Sequence, residues 1–69
     1  MKYNYEELRA AAIAPDATAK DLEALADWFQ EYDTNAWNGE YYDADGYRLY
    51  PVYKETEPDE YEVSGWELR

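Results

Sequence analysis

The Asp-Ala-Asp-Gly stretch at 43–46 has two aspartates, which could supply calcium ligands as in an EF-hand loop, and a glycine, which could form the sharp turn of such a loop. Such a loop takes oxygen ligands at positions one, three, five and twelve and has glycine at position six. With the glycine at position six, Tyr41 occupies position one and Val52 position twelve, so two ligands are missing. The pattern therefore predicts no metal site, and a calcium site completed by Asp33 or Glu40 is kept only as an alternative.

The same stretch has two further interpretations. The segment "EYYDADGYRLY" at 40–50 is similar to the aromatic hairpin repeats of bacterial choline-binding and glucan-binding proteins, which implies a carbohydrate- or choline-binding module. Asp-Gly between two extended aromatic runs is also the strongest short-range signal for a β-hairpin, because glycine supplies the positive φ of a tight turn. We interpret the stretch as a turn. The surrounding aromatic residues are then predicted to pack in a sheet: Trp37, Tyr42, Tyr47, Tyr50 and Tyr53.

Catalysis is disfavoured by the residue types that the chain lacks. It has no histidine and no cysteine, which removes the usual general base, the commonest metal ligand and thiolate zinc sites. Its three glycines are far apart and form no phosphate-binding loop. A two-carboxylate glycosidase needs a deep cleft, which a chain of 69 residues does not offer. We therefore predict a protein that is not an enzyme and has no cofactor.

The charge of the chain is strongly one-sided. Seventeen Asp and Glu residues against six Lys and Arg give a net charge of −11. Such a charge repels nucleic acid and anionic membranes and raises encounter rates with basic surfaces. We expect no direct binding to nucleic acid or membranes, and a basic protein as the partner. The N-terminal "MKYNYEEL" lacks the regions of a secretory signal, which favours the cytoplasm.

Two helices are predicted in the N-terminal half. Asn4 and Glu7 have capping-box spacing before a run of helix formers, "YEELRAAAIA", that ends at Pro15. Thr18 and Asp21 repeat this signal ahead of "KDLEALADWFQEY". Apolar residues of the second helix recur at helical spacing and are expected in the core: Leu22, Leu25, Phe29 and Tyr32.

The pattern becomes extended after "DTNAWNG". Strands are predicted at 40–43, 47–54 and 61–68, separated by turn residues. The chain at 1–69 is thus predicted to be one α+β domain, with two N-terminal helices followed by a three-stranded antiparallel sheet.

Two irregularities are expected within these strands. Pro51 removes a hydrogen-bond donor, so the second strand is predicted to bulge there or to lie on an edge. Ser64-Gly65 interrupts the third strand. A bulge at that point would place Tyr61 and Val63 on the same face as Trp66 and leave the neighbouring acids on the opposite face.

The densest acidic cluster, "ETEPDEYE" at 55–62, falls at the turn between the second and third strands. Its acids are the predicted main contacts with a partner: Glu55, Glu57, Asp59, Glu60 and Glu62. Alternate residues on one face of a strand lie about 6.6 Å apart, so these acids are expected to form two negative rows side by side. Such rows can replace the phosphates of DNA. Exposed aromatics such as Tyr61 or Trp66 are expected to add stacking.

A second acidic row is predicted on the second helix. Glu23, Asp27 and Glu31 recur every four residues, about 6 Å apart by helical rise, with no lysine among them. They are expected to be secondary contacts. The alternative is that both rows are solvated surfaces that maintain solubility and keep sheet edges from pairing.

The stretch from Asp21 to Arg69 resembles short acidic proteins encoded by phages and mobile elements of gut Firmicutes. The resemblance rests on the "WF-x-x-Y" helix end, the "WNGEYYDADG" hairpin and the acidic tail. Proteins of that setting include anti-CRISPR and anti-restriction inhibitors, several of which are DNA mimics. This implies an inhibitor, in the host bacterial cell, that occupies the basic channel of a CRISPR effector such as Cas9 or of a restriction enzyme. A structural interaction domain with an apolar interface is a further alternative.

Overall fold

The computed structural model describes residues 4–69 and confirms the predicted α+β fold. Two helices come first, and three antiparallel strands follow in the spatial order β1-β2-β3. The elements are α1 Tyr5–Ile13, α2 Ala19–Tyr32, a 3-10 turn Thr34–Ala36, β1 Tyr42–Ala44, β2 Tyr47–Glu57 and β3 Glu60–Leu68. Both β2 and β3 are longer than predicted, because they remain paired to the end of their shared hairpin.

Both predicted helix starts are capped. The Asn4 side chain accepts a hydrogen bond from the backbone N–H of Glu7 at 2.8 Å. At the start of α2 the Thr18 side chain accepts from the N–H of Asp21, and the Asp21 carboxylate accepts from the N–H of Thr18. Each cap satisfies a backbone N–H that the first helical turn leaves without a partner.

The core lies between the helices and one face of the sheet. Its largest fully buried side chains are Leu25, Phe29 and Leu49. Phe29 stacks on Tyr42 with ring centroids 4.9 Å apart, which joins α2 to β1. Tyr32, predicted for the core, is 57% exposed. That prediction is wrong because the buried side of α2 runs through Ala26 and Phe29, which leaves Tyr32 at the surface against the Trp28 ring.

The Asp-Ala-Asp-Gly stretch forms the turn between β1 and β2. Ala44 pairs with Tyr47, so the connection has two residues. Asp45 and Gly46 have φ values of 48° and 100°. Two successive positive φ angles are the geometry of the tight hairpin turn that Asp-Gly favours. The interpretation of this stretch as a turn is confirmed.

Pro51 is accommodated because β1 is short. β1 pairs with β2 only from Tyr47 to Leu49. At Pro51, β2 therefore has a neighbouring strand from the described residues 4–69 on one side only, where Pro51 pairs with Trp66. A proline cannot donate to a second neighbour. The predicted edge position holds for this part of β2.

The predicted bulge in β3 is present. Tyr53 pairs with Val63, and Ser64 is left as an extra residue on β3. The Ser64 hydroxyl donates to the carbonyl oxygen of Val52 at 3.2 Å. Because the extra residue resets the alternation of side chains, Val63 lies on the helix-facing side of the sheet with Trp66.

Candidate protein-binding hairpin

The hairpin formed by β2 and β3 projects away from the core. Every residue at 52–64 is exposed, whereas Leu49 and Trp66 on the same strands are buried and half-buried. We call residues 52–64 the hairpin arm. From Val52 to the turn at Pro58 the arm extends about 20 Å by strand rise. The molecule is accordingly elongated, with extents of 38, 27 and 26 Å.

The outer face of the hairpin arm, which points away from the helices, carries three of the predicted acids. Glu57 pairs with Glu60, and Glu62 pairs with Lys54. Residues paired across two strands point to the same side of the sheet, and so do alternate residues along one strand. Glu57, Glu60 and Glu62 therefore form one acidic group, with Lys54 at its edge.

Glu55 and Asp59 lie apart from that outer group. Glu55 pairs with Tyr61 on the inner face, which continues the helix-facing side of the sheet. The predicted pair of parallel rows is therefore wrong at this position, because Thr56 is an extra residue on β2 that shifts the register between Glu55 and Glu57. Asp59 occupies the turn with a φ of 67°, a left-handed conformation in which Asp is enriched.

The second predicted group lies on α2, where Glu23, Asp27 and Glu31 are all exposed. Glu23 lines a small cavity of about 130 Å³ together with Ser64 and Gly65, at the base of the hairpin arm. The fold therefore brings one of these three acids to the arm. Asp27 and Glu31 follow about one and two turns further along the helix.

Within residues 4–69, Lys54 is the one basic residue of the arm, against five acids. Among residues 4–69 the one ion pair joins Arg69 to Glu67 at 3.3 Å, and both side chains are more than half exposed. The arginines lie over tyrosine rings, at 4.5 to 5.1 Å from the ring centroids: Arg9 over Tyr47, Arg48 over Tyr41 and Arg69 over Tyr50. The arm keeps most of its negative charge uncompensated.

Asp45, one of the two aspartates with calcium-like spacing, belongs to a contact between α1 and the β1–β2 turn. The Arg9 guanidinium donates to the carbonyl oxygens of Ala44 and Asp45, both at 3.0 Å. Burial, together with the Asp45 carboxylate near the Tyr5 hydroxyl, raises the pKa of Tyr5 to about 12. In the part of the chain that the structure describes, no three Asp or Glu residues lie close enough together to hold a metal ion.

A groove between the inner face of the hairpin arm and α2 was missed by the sequence reasoning. It has a volume of about 330 Å³, and α2 contributes Gln30 to its wall. Its other lining residues are mainly aromatic or apolar and include Trp37, Tyr42, Pro51, Tyr53, Val63 and Trp66. The sequence contained one signal for it. The bulge at Ser64 places Val63 on the inner face, where it lines the groove.

Comparison with known proteins shows no relative. No protein-family model, curated protein or solved structure matches this chain. Of the helices within residues 4–69, none has the length and apolar character needed to cross a membrane.

Proposed function

We propose that this chain is a protein inhibitor of a host-defence nucleic-acid enzyme, of the anti-CRISPR or anti-restriction type, and that it acts as an acidic mimic of DNA. The observation that carries the proposal is the hairpin arm, a paired ribbon outside the core with five acids and one lysine. A basic nucleic-acid channel, such as that of Cas9, is complementary to such a ribbon in charge. The bacterial host cytoplasm is where the two would meet.

The spacing of the outer acids supports this proposal. Glu60 and Glu62 lie about 6.6 Å apart by strand rise. Measured along the helix axis, two phosphate steps of one DNA strand rise about 6.8 Å. Glu57 stands across from Glu60, at a separation of about 5 Å between Cβ atoms, and adds a second line of charge. Because the two strands are hydrogen-bonded to each other, these carboxylates lose less conformational entropy on binding than those of a disordered acidic tail.

The test measures binding and inhibition together. The purified chain is added to Cas9 with its guide RNA, and to a panel of restriction enzymes, and DNA cleavage and the dissociation constant are recorded as salt rises from about 50 to about 200 mM. The proposal expects inhibition that competing DNA relieves and an affinity that falls steeply with salt. An affinity that does not change with salt concentration would contradict the mimic mechanism.

Two matched variants locate the contact, and each removes four negative charges. The arm variant combines Glu55→Gln, Glu57→Gln, Glu60→Gln and Glu62→Gln. The control variant combines Glu6→Gln, Asp16→Asn, Glu40→Gln and Asp43→Asn, which are exposed positions outside the arm. We expect the arm variant to lose binding with an unchanged circular dichroism spectrum and the control to keep it. If both variants weaken binding equally, the interaction depends on net charge alone, and a role for the arm is contradicted.

A further inference from the structure

The groove on the inner face is apolar, yet no element within residues 4–69 fills it. Tyr53, Tyr61 and Val63 are 56%, 65% and 45% exposed. If Ser64 were paired as an ordinary strand residue and not bulged, the alternation along β3 would turn Val63 to the outer face and Glu62 to the inner face. The bulge therefore keeps the apolar side chain of Val63 on the inner face and the carboxylate of Glu62 on the outer face. This arrangement fits a surface that a partner covers.

Acids lie near the groove towards the base and towards the tip of the arm. Glu23 lies beside Val63 and Trp66, two residues that also line the groove. Towards the tip, Glu55 pairs with Tyr61 on the same inner face. An apolar floor between carboxylates complements a side chain that has an apolar stem and a positive end. Nucleic acid and anionic lipid are repelled by the net charge of −11, and so is a second copy of this chain.

The chain itself shows which cation suits its tyrosines. All three of its arginines lie over a tyrosine ring, with the Arg69 guanidinium 4.5 Å from the centroid of Tyr50. Within the described residues no cation lies over Tyr53 or Tyr61, the two aromatic residues of the arm, both of which are exposed. A planar guanidinium stacks on such a ring more effectively than the compact, strongly hydrated ammonium group of lysine.

We infer that the groove and the adjoining rings of Tyr53 and Tyr61 form a docking site for an arginine side chain of a partner protein. The aliphatic stem of the arginine packs on Val63 and Tyr53, the guanidinium stacks on a tyrosine ring, and Glu55 lies within reach of its charge. This inference deepens the proposed function and rests on it for the identity of the partner, because basic nucleic-acid channels are lined by arginine and lysine.

The experiment compares two synthetic peptides of equal charge, in which glycine alternates either with arginine or with lysine. Each is titrated into isotopically labelled protein at low salt and followed by NMR. We expect tighter binding of the arginine peptide, by about two- to fivefold for each ring engaged. The chemical-shift changes should centre on Tyr53, Val63 and the Trp66 indole. Equal affinities, or shifts confined to the outer acids, would overturn the inference.

A matched pair of variants separates the groove from exposed tyrosines in general. Tyr53 and Tyr32 are almost equally exposed, at 56% and 57%, but only Tyr53 lines the groove. Tyr53→Leu should reduce the preference for arginine over lysine and leave the affinity for the lysine peptide unchanged. Tyr32→Leu should change neither the preference for arginine over lysine nor the affinity for the lysine peptide. A preference that survives in the double variant Tyr53→Leu, Tyr61→Leu would also overturn the inference.

The outcome for the groove is distinguishable from the outcome for the proposed function. An arginine preference that depends on Tyr53, without inhibition of any nucleic-acid enzyme, would uphold the docking site and reject the proposed target. Salt-sensitive inhibition that is unchanged by Tyr53→Leu and Tyr61→Leu would uphold the acidic mimic and reject the docking site.

Discussion

Arg9 and Ala44 lie 35 residues apart in the chain, yet the Arg9 Nε–H donates to the carbonyl oxygen of Ala44 at 3.0 Å. A second bond to the Asp45 carbonyl oxygen fixes the orientation of the guanidinium. The buried residues of α1 are only Leu8 and Ala12. The polar contacts of Arg9 therefore contribute a large part of what holds α1 and the β1–β2 turn together.

Substitution of Arg9 by Met should destabilise the fold. The change removes two hydrogen bonds from a charged donor, and we expect the free energy of unfolding to fall by about 1 to 3 kcal/mol. Urea unfolding followed by tryptophan fluorescence measures it. Lys20→Met, at an exposed position of α2, should change stability by less than about 0.5 kcal/mol. Equal stabilities of the two variants would show that the Arg9 contacts contribute nothing.

Substitution of Tyr5 by Phe should remove a tyrosine whose hydroxyl ionises at a higher pH than an ordinary tyrosine. Burial and the Asp45 carboxylate raise the pKa of Tyr5 from 10.0 to about 12 in the folded protein. Because the folded-state pKa lies above the unfolded value, the associated stability is fully present below about pH 10 and is lost as pH rises through about 12.

Ultraviolet titration of tyrosinate measures this effect. The native protein should show a component near pH 12 that is missing from Tyr5→Phe and from the protein unfolded in denaturant. The free energy of unfolding of Tyr5→Phe should also fall less steeply between pH 10 and 12 than that of the unaltered chain. Identical titration curves would contradict the assignment to Tyr5.

Two aromatic residues of α2, three positions apart, should differ sharply in their contribution to stability. Phe29 is 2% exposed and stacks on Tyr42, so Phe29→Ala should cost about 3 to 5 kcal/mol. A loss of that size is a large share of the total stability of a small domain, and the variant should be largely unfolded. Tyr32→Ala, at a position that is 57% exposed, should retain a cooperative transition within about 1 kcal/mol of the original. Thermal unfolding by circular dichroism distinguishes the two.

Added salt should stabilise the chain. With a net charge of −11 and a single ion pair within residues 4–69, like-charge repulsion opposes the compact state, and salt screens it. Between low salt and about 0.15 M NaCl, where the Debye length falls to about 8 Å, the free energy of unfolding should rise by on the order of 1 kcal/mol. The arm variant with four Glu→Gln changes should show a smaller rise. Stability that falls with salt would indicate that attractive ion pairs dominate instead.

The features that followed from the sequence depend on residues close together in the chain. The Thr18–Asp21 capping box joins a side chain and a backbone three residues apart, and Asp45-Gly46 adopts positive φ angles in its own turn. The bulge at Ser64 was deduced from the spacing of apolar residues along one strand. Each of these signals lies within a few residues of the feature that it predicts, and none depends on the partner strand.

The features that the sequence did not predict depend on pairing across the hairpin. Glu55 was expected beside Glu57 and Glu62, but the register shift at Thr56 places it opposite Tyr61. Such a register shift depends on how the hydrogen-bonded residue pairs of β2 and β3 lead into the turn. The side-chain pattern of β2 alone does not indicate it. The exposure of Tyr32 likewise depends on which side of α2 packs against the rest of the fold, and helical periodicity alone does not determine that side.

The brevity of β1 has a consequence for the behaviour of many copies of this chain together. Beyond Leu49, no strand among residues 4–69 lies beside β2 other than β3, so within this part of the chain the ribbon has open backbone along both long sides. Open edges of this kind are templates for sheet-to-sheet aggregation. Pro51 withholds a donor from one edge, and the carboxylates of the arm repel a second ribbon. Both features disfavour pairing of one ribbon with another.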